Sequence, residues 1–127
     1  MTHLYNADYD PPIPVVNVRF STPAWSLYTD SLQAIIDTGA DGTLAPIKYL
    51  QAIEAIAEGQ LGLRSQWGER RIVNMYLVDT EIEGVTLQSI WVIGDDQSDE
   101  VIIGRNVLNR LKLLLDGPML LSEILDF

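Results

Sequence analysis

The sequence predicts a mainly β fold with one or two short helices. Short segments rich in Val, Ile and Leu recur along the 127 residues, and Gly, Pro and acidic residues separate them. Only the stretch 46–58 changes clearly to a helical period. The sequence contains no internal repeat, low-complexity tract or linker, so residues 1–127 are assigned to a single domain.

The strands follow from β-branched and apolar segments bounded by turn residues. Residues 1–12 are polar and acidic, contain two prolines at their end, and are predicted to form an irregular N-terminal arm. The predicted strands are, in order, Val15–Phe20, Ser31–Ile36, Leu61–Arg64, Arg71–Ile82, Val85–Ile93, Val101–Ile103, Lys112–Leu115 and Met119–Leu121.

Two helices are predicted between these strands. Over residues 46–58 the apolar residues fall on one helical face, Pro46 suits the first turn, and Gly59 follows as a stop. A second, shorter helix is expected over Asn106–Leu111. The chain is therefore expected to fold as a β domain with a helix near its middle and another near its C-terminal end.

Composition excludes several classes of function. The formal net charge is −10 and the sequence pI is about 4.2, which argues against binding to nucleic acid or to an anionic membrane surface. The chain has no cysteine and a single histidine, His3, so thiol nucleophiles, histidine triads and histidine-rich zinc sites are not expected. Carboxylates remain as the main groups for proton transfer.

No targeting segment is visible at the N-terminus, and the apolar stretches are much shorter than the ~20 residues that span a bilayer. We therefore expect a cytoplasmic protein that is not inserted in a membrane.

The run Ala34–Asp41 is the strongest candidate for a catalytic segment. Asp37 follows an apolar, β-branched strand end and precedes Thr38 and Gly39, and this glycine lets backbone approach the carboxylate without an intervening Cβ. Taken alone, Asp-Thr-Gly is ambiguous, because an Asp at a strand end commonly caps a local turn.

A second segment, Val101–Leu108, removes much of that ambiguity. It reads Val-Ile-Ile-Gly-Arg-Asn-Val-Leu and places Gly104 and Arg105 directly after an apolar strand. Together the two motifs resemble those of the retropepsins, the retroviral-type single-domain aspartic proteases, over about residues 13 to 121. The longer helix after the first motif is typical of cellular relatives. The resemblance implies a closed β-barrel or sandwich with a flap hairpin, assembled as a homodimer.

The resemblance also implies roles for individual residues. Asp37 corresponds to the catalytic aspartate, of which each subunit supplies one, and Thr38, Gly39 and Gly104 correspond to residues that support its loop. Arg105 corresponds to an arginine that pairs with the acid at Asp41, within or across subunits. The residues implied to contact substrate are Gly39, Ala40, Asp41, Gly42, Gln66, Trp67, Gly68 and Ile102.

The flap and the loop before Val101 differ from viral patterns. The tip between Leu61–Arg64 and Arg71–Ile82 has one glycine, Gly68, and a bulky Trp67. The segment Asp95–Glu100, called the acidic loop below, contains four carboxylates. In retropepsins this loop borders the substrate pockets. It is either solvated surface or favours Lys and Arg near the cleaved bond.

The implied mechanism uses two Asp37 carboxyl groups, one from each protomer. Like charges ~3 Å apart cannot both be ionised, so the pair shares one proton and activates a water molecule that attacks the peptide carbonyl. No metal or organic cofactor is required. A non-catalytic module that binds extended peptides or mediates dimerisation is the alternative from another class.

A second motif overlaps the first and is rejected. Asp41-Gly42-Thr43 resembles half of the phosphatase motif of haloacid-dehalogenase-like enzymes. That chemistry needs a nucleophilic aspartate two residues earlier, where this chain has Gly39, and it needs the alternating βα pattern of a parallel sheet.

Overall fold

The computed structural model describes residues 2–23, 26–64 and 68–125. These residues form a mainly β structure, which confirms the predicted fold class. Its elements are β1 (Thr2–Leu4), β2 (Val15–Ser21), β3 (Leu32–Ile36), β4 (Thr43–Pro46), α1 (Ile47–Ala52), β5 (Ala57–Arg64), β6 (Arg70–Ile82), β7 (Val85–Asp95), β8 (Val101–Ile103), α2 (Arg105–Leu108), β9 (Lys112–Asp116) and β10 (Leu121–Leu125).

Six strands close into a barrel in the order β2-β3-β8-β4-β7-β6, and pairing between β2 and β6 completes the ring. Within this ring β3 and β8 run parallel, with Ala34 opposite Val101 and Ile36 opposite Ile103. Both strands therefore end at the same edge of the sheet. The residues that follow them, Asp37 and Gly104, are brought side by side although they are far apart in sequence.

Strand β5 lies outside the ring and pairs with β6, from Ala57 opposite Tyr76 to Arg64 opposite Arg70. Pairing between β6 and β7 begins only at Met75, opposite Ile93. The outer part of β6, residues 70–74, therefore has β5 as its only sheet neighbour within the described chain. We call β5 and residues 70–74 the projecting hairpin.

The core fills the barrel with branched aliphatic and aromatic side chains. Phe20, Leu50, Ile82 and Ile103 are fully enclosed, and Val107 from α2 joins them. Each such side chain contributes about 1.5–3 kcal/mol relative to exposure to water. Helix α2 is thus held against the barrel by Val107, which fixes the segment that follows Gly104.

Strands β1, β10 and β9 form a separate three-stranded antiparallel sheet, called the terminal sheet below. Ser122 on β10 is buried and donates its hydroxyl to the carbonyl of Val15 at 2.7 Å, which ties this sheet to the barrel. On β1, His3 contacts Glu83 in the turn between β6 and β7. The expectation of an irregular arm over residues 1–12 is therefore wrong for Thr2–Leu4, which form a strand.

The predicted helix over 46–58 is also wrong in length. Helix α1 ends at Ala52, Glu54 adopts a positive φ of 58°, and residues 57 and 58 belong to β5. Leu50 and Ile53 face the core, but Ile56 is 77% exposed, so the apolar period does not continue into a buried face. Gly59 lies within β5 and is not a helix stop.

The remaining strand and helix boundaries shift by a few residues. Strand β7 continues to Asp95, which the sequence had assigned to the acidic loop, and α2 spans Arg105–Leu108 instead of Asn106–Leu111. The final strand is Leu121–Leu125, later than the predicted Met119–Leu121. Across the described ranges, no helix is long and apolar enough to cross a membrane.

Candidate active site

Asp37 lies in a short loop, residues 37–42, at the end of β3; we call it the Asp37 loop. The backbone N–H of Asp37 donates to the carbonyl of Ile103 at 3.0 Å, which continues the β3–β8 pairing by one residue. The carboxylate accepts a hydrogen bond from the N–H of Gly39 at 2.9 Å. A Cβ on Gly39 would lie 3.1 Å from the same oxygen, so glycine is the residue that fits this approach most easily.

Gly104 lies directly beneath the Asp37 loop. A Cβ there would stand 2.1 Å from the carbonyl oxygen of Gly42 and 3.0 Å from that of Ala40. These distances are far below van der Waals contact, so residue 104 must lack a side chain. The N–H of Arg105 donates to the Ala40 carbonyl at 2.8 Å, and this bond fixes the loop on its support.

A buried hydroxyl connects the same two segments. The side chain of Thr43 accepts a hydrogen bond from the N–H of Gly104 at 3.2 Å and donates to Oδ1 of Asn106 at 2.7 Å. Asn106 in turn donates its Nδ2 to the carbonyl of Trp91 on β7 at 3.0 Å. Thr43 is completely buried, so its hydrogen bond from the Gly104 N–H is shielded from water.

Arg105 does not reach Asp41 within the chain. Its guanidinium donates to the carbonyl of Thr38 at 2.8 Å, and the ion pairs found among the described residues do not include Asp41 with Arg105. Asp41 is exposed. Arg105 therefore stabilises the Asp37 loop through a backbone oxygen, and its pairing across two subunits stays a prediction.

The expected substrate-contacting residues fall into two groups. Gly39, Ala40, Asp41 and Gly42 form the exposed or half-buried Asp37 loop, and Ile102 is half-buried on the face of β8 opposite Val101 and Ile103. Gln66 and Trp67, at the tip of the projecting hairpin, lie outside the described residues. Gly68 is described and has a φ of 82°, a conformation that favours glycine.

All four carboxylates of the acidic loop have partners. Asp95 and Asp96 accept hydrogen bonds from Arg71, Asp99 lies 3.4 Å from the ammonium group of Lys48, and Glu100 accepts a hydrogen bond from the hydroxyl of Tyr9. The carboxylates of the acidic loop are therefore less available to attract Lys or Arg side chains of a substrate than the sequence alone indicates.

The contact of Tyr9 with Glu100 has an electrostatic consequence. The hydrogen bond to Glu100 raises the pKa of the Tyr9 phenol, since the protonated hydroxyl is the donor, and burial and the charges of Glu100 and Asp8 act in the same direction. This contact joins the N-terminal arm to the residue that precedes β8.

Sequence reasoning missed the role of Thr43. The residue appeared only as part of the rejected phosphatase-like motif, although it follows Asp37 by six positions in one continuous run. The signal that could have revealed this role was a hydroxyl residue at the start of β4, where it faces Gly104 of the second motif. Asn106 was read as part of the motif but was given no role.

The arrangement presents one half-buried carboxylate on a loop with a rigid support. A single carboxylate can accept or donate one proton, but activation of water with simultaneous protonation of a carbonyl needs a second acid. The described residues of one chain place no second aspartate in the Asp37 loop except the exposed Asp41. Within the described residues, Asp37 is therefore a single carboxylate, and a two-carboxylate mechanism would need a second acid from elsewhere.

Solved structures with the same fold include several proteases. The chain matches a retropepsin-like aspartic protease from Rickettsia conorii with a TM-score of 0.65 and 15% identity, covering 98% of this chain and 88% of that one. It matches EIAV protease, solved with the inhibitor HBY-793, with a TM-score of 0.58 and 18% identity, covering 85% of this chain and 93% of that one.

A third match is a foamy viral protease-reverse transcriptase in complex with an RNA/DNA hybrid, with a TM-score of 0.58 and 20% identity. It covers 79% of this chain, which spans only 12% of the foamy viral chain. No protein-family model matches the sequence, and no curated protein matches it. The chain has a retropepsin-like fold, as the two sequence motifs indicated.

Proposed function

We propose that the protein is a homodimeric aspartic endopeptidase in which two Asp37 carboxylates, one from each protomer, activate the water that cleaves an extended polypeptide. The observation that carries this proposal is the position of Asp37. It lies at the end of β3, on a loop whose backbone is fixed by Gly104 and Arg105. The retropepsin-like fold supports the same conclusion.

The terminal sheet supports assembly into a dimer. Leu4 on β1 is 72% exposed, and Leu114 and Leu125, which lie on the same face of the sheet, are also exposed. Apolar side chains clustered on one small sheet are typical of a surface that is covered by another molecule. Within the described residues, the outer edges of β1 and β9 have no neighbouring strand, so a second copy can also pair with the backbone there.

In this mechanism the ionised Asp37 of one protomer takes a proton from the water, which attacks the carbonyl carbon of the scissile peptide bond. The protonated Asp37 of the other protomer donates its proton to the carbonyl oxygen. When the resulting diol collapses, the first Asp37 gives the proton taken from water to the leaving nitrogen, the C–N bond breaks, and the second Asp37 takes a proton from a diol hydroxyl. The projecting hairpin closes over the peptide and excludes water from the reacting groups.

The direct test replaces the proposed catalytic carboxylate. Asp37→Asn keeps the size of the side chain and removes its acid–base chemistry, so we expect cleavage of unfolded protein at pH 4–6 to fall to background. Asp30→Asn makes the same change at an exposed position before β3 and should cleave at the wild-type rate. Thermal unfolding of both variants should stay close to that of the wild type.

Residual cleavage by purified Asp37→Asn protein would end the catalytic assignment. Specific activity should also fall on dilution, since a monomer carries one carboxylate. If the wild type binds extended peptides but never cleaves them over the same pH range, the chain is instead a peptide-binding or dimerisation module.

A further inference from the structure

One arginine joins the projecting hairpin to the acidic loop. Arg71 lies on the outer part of β6, and its two terminal nitrogens reach different carboxylates. Nη1 donates to Oδ1 of Asp96 at 2.7 Å and Nη2 donates to Oδ1 of Asp95 at 3.0 Å. We call this group of three residues the Arg71 clamp.

The two halves of the Arg71 clamp differ in exposure. The side chain of Asp95 is 7% exposed, whereas that of Asp96 is 70% exposed. A buried carboxylate that loses its counter-ion is strongly destabilised, so the contact of Arg71 with Asp95 has a large effect on where the guanidinium lies. The contact with Asp96 is open to solvent, contributes less and is weakened by salt.

Asp95 also shapes the loop that it begins. The same Oδ1 that binds Arg71 accepts a hydrogen bond from the backbone N–H of Gln97 at 3.0 Å. The first turn of the acidic loop is therefore built around the oxygen that Arg71 holds. A shift of the hairpin and a shift of the loop are coupled through this atom.

The outer part of the hairpin has few other contacts with the barrel apart from the side chain of Val73, which is buried. Residues 70–74 pair with β5 but have no partner on β7, whose pairing with β6 starts at Met75. Pairing with β5 fixes the shape of the hairpin but not its position relative to the barrel. The Arg71 clamp supplies a side-chain link from this overhang to the barrel.

We propose that Arg71 is a positioning residue: through Asp95 and Asp96 it holds the projecting hairpin against the acidic loop, and so sets where the hairpin lies relative to the peptide that it covers under the proposed function. The effect of Arg71 on peptide binding rests on the proposed peptidase function, whereas its contacts with Asp95 and Asp96 do not. Arg71 touches no reacting atom. It therefore affects peptide binding and leaves the chemical step unchanged.

The structural half of the proposal is tested without any substrate. Arg71→Gln removes the charge but keeps a polar side chain, and we expect amide hydrogen exchange in segments 57–64 and 70–74 to become roughly three- to tenfold faster. The matched control is Arg70→Gln, the same change one residue away at an exposed position that appears in none of the ion pairs among the described residues. It should leave exchange at the wild-type rate.

Two further variants guard against a simple loss of folding. Arg71→Lys keeps one charge and should restore part of the protection, because a lysine cannot bind both carboxylates in the same fork geometry. Asp96→Asn weakens only the exposed contact of the Arg71 clamp, so the rate of amide hydrogen exchange should rise less than in Arg71→Gln. Equal rates of amide hydrogen exchange in Arg71→Gln and Arg70→Gln would contradict the proposed positioning role of Arg71.

Kinetics test the functional half. In Arg71→Gln we expect KM for a peptide substrate to rise about three- to tenfold with kcat unchanged, and we expect KM to increase less with salt than it does in the wild type. A fall in kcat at constant KM would contradict a positioning role. If the wild type cleaves nothing while the exchange difference persists, the clamp stands and the proposed peptidase function fails.

Discussion

The Asp37 loop and the projecting hairpin are held in opposite ways. The loop rests mainly on closely packed backbone and hydroxyl groups around Gly104 and Thr43, and Arg105 adds one exposed, charged contact to the Thr38 carbonyl. The hairpin is attached by charged side chains, one of which, Asp96, is mostly exposed. Short-range neutral contacts barely respond to salt, whereas exposed charge pairs do. The attachment of the hairpin should therefore respond to salt more strongly than that of the loop.

The largest expected effect comes from adding one carbon beneath the Asp37 loop. In Gly104→Ala the new Cβ meets the Gly42 carbonyl, so the loop must move, at a cost of about 3 kcal/mol in unfolding free energy, with loss of cleavage. Gly117→Ala is the control, because nothing lies within 4 Å of a Cβ there. Chemical denaturation and peptide cleavage measure both effects. Equal stability of the two variants would show that the loop is not rigid.

An intermediate effect is expected from removing a buried hydroxyl. Thr43→Val leaves the Gly104 N–H and Asn106 Oδ1 without their partner, which should lower the unfolding free energy by about 1–3 kcal/mol. Thr80→Val is the matched control, since Thr80 is equally buried but its hydroxyl has no hydrogen-bond partner among the described residues. That substitution should be neutral or stabilising. If both variants lose the same stability, the hydrogen bonds of Thr43 contribute nothing specific.

The smallest effect is expected at the exposed end of the acidic loop. Asp99 and Glu100 already contact Lys48 and Tyr9, so the double variant Asp99→Asn, Glu100→Gln should alter a preference for Lys or Arg in substrates by about 0.2–1 kcal/mol, roughly 1.4- to 5-fold. Profiling a peptide library with both proteins at low and high salt measures it. A larger shift that survives high salt would show that the loop binds substrate directly.

Several strands and the position of Asp37 could be predicted because their signals are local, whereas the closed barrel was implied only by the family resemblance and its strand β4 was not predicted. Val101–Ile103 is a short apolar run between an acidic stretch and a glycine, and the structure has the strand within the same bounds. Asp37 follows an apolar strand end, and the two strands that carry the motifs then lie side by side. Here local preference and the overall fold agree, which makes sequence reasoning effective.

The errors arose where distant pairing overrides local preference. Residues 57–64 pair with residues 70–76, and this pairing converts the end of the predicted helix into β5. Strand β1 consists of three residues and forms only because β10 is available at the other end of the chain. The burial of Asp95 depends on Arg71, which lies 24 residues away. None of these partners is visible in a window of neighbouring residues.

The pairing of β1 with β10 also has a consequence for synthesis. Thr2 pairs with Glu123 and Leu4 with Leu121, so the two strands are separated by more than about a hundred residues. At typical translation rates of ~5–20 residues per second, β1 waits roughly 6–24 s for its partner to be made. During this interval the remaining barrel strands can collapse around their own core. The terminal sheet is thus completed late. The surface proposed for dimerisation therefore forms only after the Asp37 loop, whose partner the dimer would supply, is in place.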